Sequence, residues 1–491
     1  GQTGRTGTVT LETVDSTTAL ANISGDISIT ADGSGGTVVF SGDYSHTSSG
    51  SDLTANADYI TVSGNVTQAG DITWTTSSID FPGSYDLTSN NGSIDWTYVG
   101  ASTLDDSGAG SHTFSAPSGS ITIGGTVHSG ANGADSLLLS AGNQVALNGA
   151  VGSISPLADL EIDAGGNASA GSISTSGWID VESTGGSVAA TGDWEAEANG
   201  PTGLAIRMEA ATDTTVNSAA VLDADQADDG SPATIGLGAG DNIVIDGNVG
   251  TDSTDSALSE ADNVIIGDSS INGSITEPDA VLHRLSSVIR ATNDVHVAAA
   301  SNFTQTGTAS IGSSGNSVGG QISIDPDDVQ ITGSGLFSTG DIDIVAESPD
   351  GNGVPNEGVL IDGADVVSVD GDVDIQADNT DDSEGRMLLQ NDARIVADAD
   401  GSAAGSLTVD AQVVTFNSQT SAPSGLEVQA GDTMSVTSDT GISIGTAGSV
   451  ETDIQSGDNM VLYANGGAFE QNDGSIESSL GFVDIDATAG V

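Results

Sequence analysis

The stretch Gly25-Asp26-Ile27-Ser28-Ile29 returns almost unchanged along the chain, as Gly70-Asp71-Ile72-Thr73-Trp74, Gly92-Ser93-Ile94-Asp95-Trp96 and Gly119-Ser120-Ile121-Thr122-Ile123. Later copies are Gly320-Gln321-Ile322-Ser323-Ile324, Gly340-Asp341-Ile342-Asp343-Ile344 and Gly371-Asp372-Val373-Asp374-Ile375. Gly425-Leu426-Glu427-Val428, Gly441-Ile442-Ser443-Ile444 and Gly481-Phe482-Val483-Asp484-Ile485 follow near the end. The alternation of apolar and polar residues is the period-two signature of a strand with one buried face. The leading glycine is expected to supply a positive φ or a tight corner. Second strands lie between the copies, such as Asp58-Tyr59-Ile60-Thr61-Val62 and Gln144-Val145-Ala146-Leu147.

Recurrence at roughly 20 residues is in the solenoid range, and a coil of that size cannot bury its apolar face alone. The fold expected is therefore all-β: a right-handed parallel β-helix, continuous over 1–491, with about 20 to 25 coils stacked in parallel. Three stretches break the pattern and read as excursions from the stack, near 213–232, 251–290 and 348–358. The second contains the one run of helical spacing, Val281, Leu282, Leu285 and Ile289, which reads as a short helix.

Composition agrees with a thin aliphatic core. Of 491 residues 68 are glycine, while aromatics are 3% and the hydrophobic fraction is 36%, too high for simple disorder. Seventy acidic residues face six basic ones, a formal net charge of −64. That surface repels phosphate backbones and anionic lipid, so neither nucleic acid nor membrane is an expected partner. Its self-repulsion calls for salt or bound cations, in a halophilic or a calcium-rich medium. Cysteine is absent, which excludes disulfide staples and thiolate metal sites. No apolar run reaches the roughly 18 residues of a membrane span.

The fuller phrase Gly-Asp-Ile-x-Ile-x-Ala, at Gly25 to Ala31, at Gly340 to Ala346 and with valine at Gly371 to Ala377, resembles the filamentous-haemagglutinin type of bacterial exoprotein. The resemblance implies a β-helical adhesin shaft at the cell surface, exported by two-partner secretion or as an autotransporter. The Asn-Pro-Asn-Gly-type motifs of that family's secretion domain are not visible, nor is a membrane barrel. A self-assembling, ion-dependent sheath or surface-layer subunit fits the charge equally well. Either reading expects end-to-end self-association or continuation in a longer chain, because the ends of a solenoid are unpaired edges.

Chemistry is sparse. A carbohydrate-active β-helix enzyme would need paired carboxylates beside a sugar groove, or a basic residue with calcium. The best cationic cluster is His283-Arg284 with Arg290 and His296, and no catalytic residue stands out. No cofactor is required. Calcium is the candidate metal, since hard cations take several oxygens on a turning loop. The candidate ligands are Asp378, Asp381, Asp382 and Glu384 in one loop and Asp398 and Asp400 in another, with Asp325-Pro326-Asp327-Asp328 a third candidate loop. His46, His112 and His128 read as surface or capping residues. Trp74, Trp96, Trp178 and Trp194 read as core, with an outward sugar-stacking row as the alternative. Surface glycans are the candidate ligands of an adhesin. The sequons at Asn22, Asn65, Asn91, Asn167, Asn272 and Asn302 are no more than chance gives in a chain this rich in serine and threonine.

Overall fold

A computed structural model describes residues 8–11, 14–15, 25–31, 34–47, 50–104, 110–130, 134–225, 232–251, 261–346, 358–377, 385–401, 405–417, 425–445 and 452–489. The chain is a β-solenoid of about 15 turns with no helix among the described residues. It divides into two compact units, Gly1–Ile235 and Gly236–Val491.

In the first unit each coil carries three strand positions, and each position stacks in parallel on its counterpart. One ladder runs through Ile27, Leu53, Ile72, Ile94, Ile121, Val145, Ala168 and Val188. A second runs through Val38, Ile60 and Ile79, and a third through Tyr44, Val66, Leu87, Phe114 and Leu139. The alternating apolar residues of each phrase point inward because strand side chains alternate by face. Where several of them are aromatic, the rings stack between coils: Phe40 on Trp74 at 5.5 Å, then Trp74 on Trp96 at 5.9 Å. Trp74, Trp96 and Trp194 are fully buried, so the core reading holds for these three and an outward row of them does not exist. His46 and His112, expected at the surface, are also wholly interior. His46 is held there by Ser51 and Gln68 of its own and the next coil, so a polar inward position is tolerated by being hydrogen-bonded.

The second unit repeats the plan with mainly aliphatic side chains. One ladder passes through Ile243, Val281, Phe303, Val329, Val359, Met387, Val414, Ile442 and Phe469. Another passes through Val249, Ile289, Ile311, Leu336, Val366, Ile395, Val428 and Ile454.

Three expectations need correction. The helical run is strand: Ala280–His283 and Val288–Ile289 are rungs of these ladders, and Leu285 is an exposed corner at φ 63°. So short a helix is marginal by itself, whereas Val281 gains a ladder on both sides, with Ile243 and Phe303. The turns are also fewer than the phrase spacing suggests, because coil length varies. Ile72 lies on Leu53, one short coil earlier, but the segment from Ile243 to its stacked partner Val281 is twice as long. Within the expected excursions, Thr214–Val216 and Val221–Asp223 are strands, while 226–231, 252–260 and 347–357 lie outside the described residues.

The third correction concerns the Gly-Asp pair itself. Most leading glycines have ordinary φ; of those quoted, only Gly425 and Gly441 are positive. At Gly70, Gly92, Gly119, Gly320, Gly340, Gly371 and Gly481 the coil beneath comes too close for a Cβ, whereas Gly25 faces open space. A Cβ on Gly92 would overlap the Asp71 carboxylate and backbone, and one on Gly371 would meet Asp341 in the same way. The aspartate is the reason for that approach. Asp26 Oδ1 accepts the Asp52 amide at 3.2 Å, Asp52 Oδ1 accepts Asp71 at 2.8 Å, and Asp71 Oδ1 accepts Ser93 at 2.7 Å. A second corner does the same through Asp43, Asn65 and Asp86. In the second unit Asp341 and Asp372 accept the amides of Asp372 and Ser406 at 2.9 and 2.7 Å. Each of these side chains thus satisfies a corner amide one coil further on, through a bond that is charge-assisted where the acceptor is a carboxylate.

Candidate functional site

Among the described residues the inward positions are mostly packed with apolar side chains, and the charged rows lie on outward positions. In the first unit two outward rows are acidic. One places Glu161, Asp180 and Arg207 on successive coils, and the next places Asp163, Glu182 and Glu209 beside them. Arg207 donates to Asp180 at 2.8 Å and to Glu182 at 3.0 Å. Burial raises the Asp163 carboxyl above the usual range, and the charges of Glu182 and Asp180 add to it. Burial also raises Asp180, outweighing the pull of Arg207. One guanidinium therefore serves a patch of five carboxylates. No motif marks it in the sequence; Arg207 and Asp180 sit on different coils, and only the register brings them together.

In the second unit Asp343 and Asp374 lie directly above one another on adjacent coils. An oxygen of each, Oδ1, is buried with no hydrogen-bond partner. Asp343 is raised by burial first and by the charges of Asp374, Asp325 and Asp341. Among the described residues no arginine forms an ion pair with either.

Another outward row in the second unit is apolar. Phe337, Val367 and Val396 stack in register opposite the inward Leu336, Val366 and Ile395, and are 8, 6 and 1% exposed. Beside it runs Asp365, Arg394 and Glu427, with Arg394 Nε donating to Glu427 at 2.7 Å. Phe337 and Val367 floor a cleft of about 330 Å³ whose rim includes Ser317, Asp365, Arg394 and Asp400. Burial raises the Asp365 carboxyl, while Arg394 opposes that and Glu427 adds to it. The far rim is the turn Ser313 to Asn316. Arg290, 5% exposed, donates to the Asn316 carbonyl at 2.7 Å and to Ser313 Oγ at 3.2 Å, which pins that turn.

The cationic cluster expected from the sequence is thereby dispersed. His283 points into the core against Gln305, and burial lowers its pKa to about 4. Arg284 points out and forms a two-pronged pair with Asp246 at 3.0 and 2.8 Å. Arg290 supports the cleft, and His296 is half-buried on an outward face.

Of the expected calcium ligands, Asp378, Asp381, Asp382 and Glu384 lie outside the described residues. Asp398 is a buried turn residue at φ 66°, and Asp400 lies at the exposed end of the same turn, on the cleft rim. Asp325 to Asp328 belong to the strand Ile322–Thr332 and do not form a turning loop. Among the described residues no three histidine or carboxylate groups converge in a way that could hold a metal ion. Asn65 and Asn167 of the sequons use their side-chain oxygens to accept the Asp86 and Ser187 amides of the next coil. No family model, no curated protein and no solved structure matches the chain.

Proposed function

We propose that the chain is a shaft of an extracellular structural or adhesive fibre, of the kind its repeat phrase resembles in filamentous-haemagglutinin-type exoproteins. The observation that carries this reading is the investment of sequence in coil-to-coil cohesion. The recurrent corner aspartate serves the next coil's backbone, through the Gly-Asp pairs at Asp26, Asp71, Asp341 and Asp372 and through Asp52, which follows a serine. Stacking of that kind yields a load-resisting element to which each added coil contributes alike. An outer surface of Asp, Ser and Thr keeps it soluble and apart from nucleic acid. Negative-stain imaging of the purified chain tests it: thin rods or fibres of uniform width are expected, and compact globular particles would overturn it.

One observation favours an ion-dependent sheath or surface-layer subunit as the second reading. The stacked Asp343 and Asp374 carboxylates, each with its Oδ1 unpartnered, would be relieved by a cation or by a proton. In that case desalting or chelation disperses assemblies and calcium or salt restores them, as followed by light scattering.

A further inference from the structure

We propose that the cleft over Phe337 and Val367 binds a pyranose ring of a neutral glycan. The inference rests on the adhesive reading for the source of that glycan, and on the cleft alone for its chemistry. Outward positions of a solenoid are ordinarily polar, yet here Phe337, Val367 and Val396 form a largely buried apolar row on the outer side of the sheet, of which Phe337 and Val367 reach the cleft. A wholly apolar ligand would cover that floor but would strip water from Asp365, Asp400 and Ser317 without replacing their hydrogen bonds. A sugar ring meets both demands. Its C–H face lies on the floor, while its hydroxyls donate to carboxylates and accept from a guanidinium.

Charge selects among sugars. Arg394 is matched by Glu427 at 2.7 Å, which leaves Asp365 and Asp400 as the net charge of the rim. A uronic or sulfated sugar would be repelled, and a neutral one would not. The volume, about 330 Å³, falls at the lower end of small-molecule sites and suits a short saccharide. The rim is also held in place before any ligand arrives. The buried Arg290 clamps the Ser313 to Asn316 turn, and Ser317 Oγ meets Thr339 Oγ1 at 2.8 Å.

Saturation-transfer NMR of the whole chain tests this, with the methyl pyranosides of glucose, galactose, mannose and N-acetylglucosamine as probes and glucuronate as the anionic comparison. At least one neutral probe should bind saturably with a millimolar Kd, and glucuronate about tenfold more weakly or not at all. Asp365→Asn should weaken the neutral probe about tenfold. Ser314→Trp, placed on the exposed rim, should abolish binding by filling the cleft while leaving the melting temperature unchanged. Saturable binding by none of the neutral probes, equal or tighter binding of glucuronate, or unaltered affinity in the folded Ser314→Trp variant would overturn the proposal. Rods without sugar binding would remove this inference alone; sugar binding by globular particles would remove the fibre reading alone.

Discussion

The acidic rows of the two units are built alike and neutralised differently. Around Asp180 in the first unit, carboxylates stacked on adjacent coils converge on Arg207, itself only 9% exposed. Around Asp343 and Asp374 in the second, carboxylates stack on adjacent coils in the same way, with no arginine paired to them among the described residues. A parallel solenoid repeats the same outward position every turn, so any acidic residue in a repeated phrase generates a like-charge ladder. The first ladder is relieved from within the chain. The second is left to protons and dissolved cations. With six arginines against 70 acids, most of the molecule must follow the second route.

The largest effect should come from breaking the internal solution. Arg207→Met leaves Asp180 and Glu182 beside one another without their shared cation and should destabilise the first unit by roughly 3–5 kcal/mol, read from urea melts. An unchanged midpoint would mean that solvent screens this patch as fully as any other.

Burial lowers a histidine in each unit, His128 in the first and His283, fully buried, in the second. His283 titrates at about 4 when folded against an ordinary 6.5, so the folded state resists its protonation. Its contribution to stability is whole above pH 6.5 and is lost as the pH falls toward 4, by roughly 2 kcal/mol at pH 5. The raised carboxyls act in the opposite sense: Asp163 and Asp343 are more readily protonated in the fold than outside it, so acid relieves their repulsion. Melts at pH 7 and pH 5 should show loss of second-unit stability, and His283→Gln should flatten that loss. A pH response identical in the variant would remove His283 as its source.

The smallest effect is a gain. Asp374→Asn halves the charge of the unrelieved pair and offers Asp343 an amide donor. It should stabilise by about 1 kcal/mol in low salt and by progressively less as salt rises. The equivalent Asp180→Asn should not stabilise, because it takes a charged partner away from Arg207. Equal gains from both variants, in the same melts, would erase the distinction between the two patches.

The phrase Gly-Asp-Ile-x-Ile was sufficient, in the sequence alone, to establish parallel stacking and an apolar interior, because period-two burial and strand repetition are local properties written into every copy, but not the aromatic stack and interior histidines of the first unit. It was insufficient for the roles of its own first two residues. Gly92 is glycine because of Asp71, one coil away, and Asp71 is aspartate because of the Ser93 amide; neither partner is a sequence neighbour of the residue it constrains. The same holds for the sites. His283 and Arg290 were visible as unusual residues, but whether each faced inward or outward depended on strands that sequence spacing read as helix. The row Phe337, Val367 and Val396 is scattered over three coils, each member next to an inward apolar residue, and becomes one cluster under the cleft only when register aligns those coils. Sequence determines what repeats along the chain. Which side chains meet across it depends on coil length, which doubles between the Leu53–Ile72 and Ile243–Val281 pairs and is decided by the packed structure.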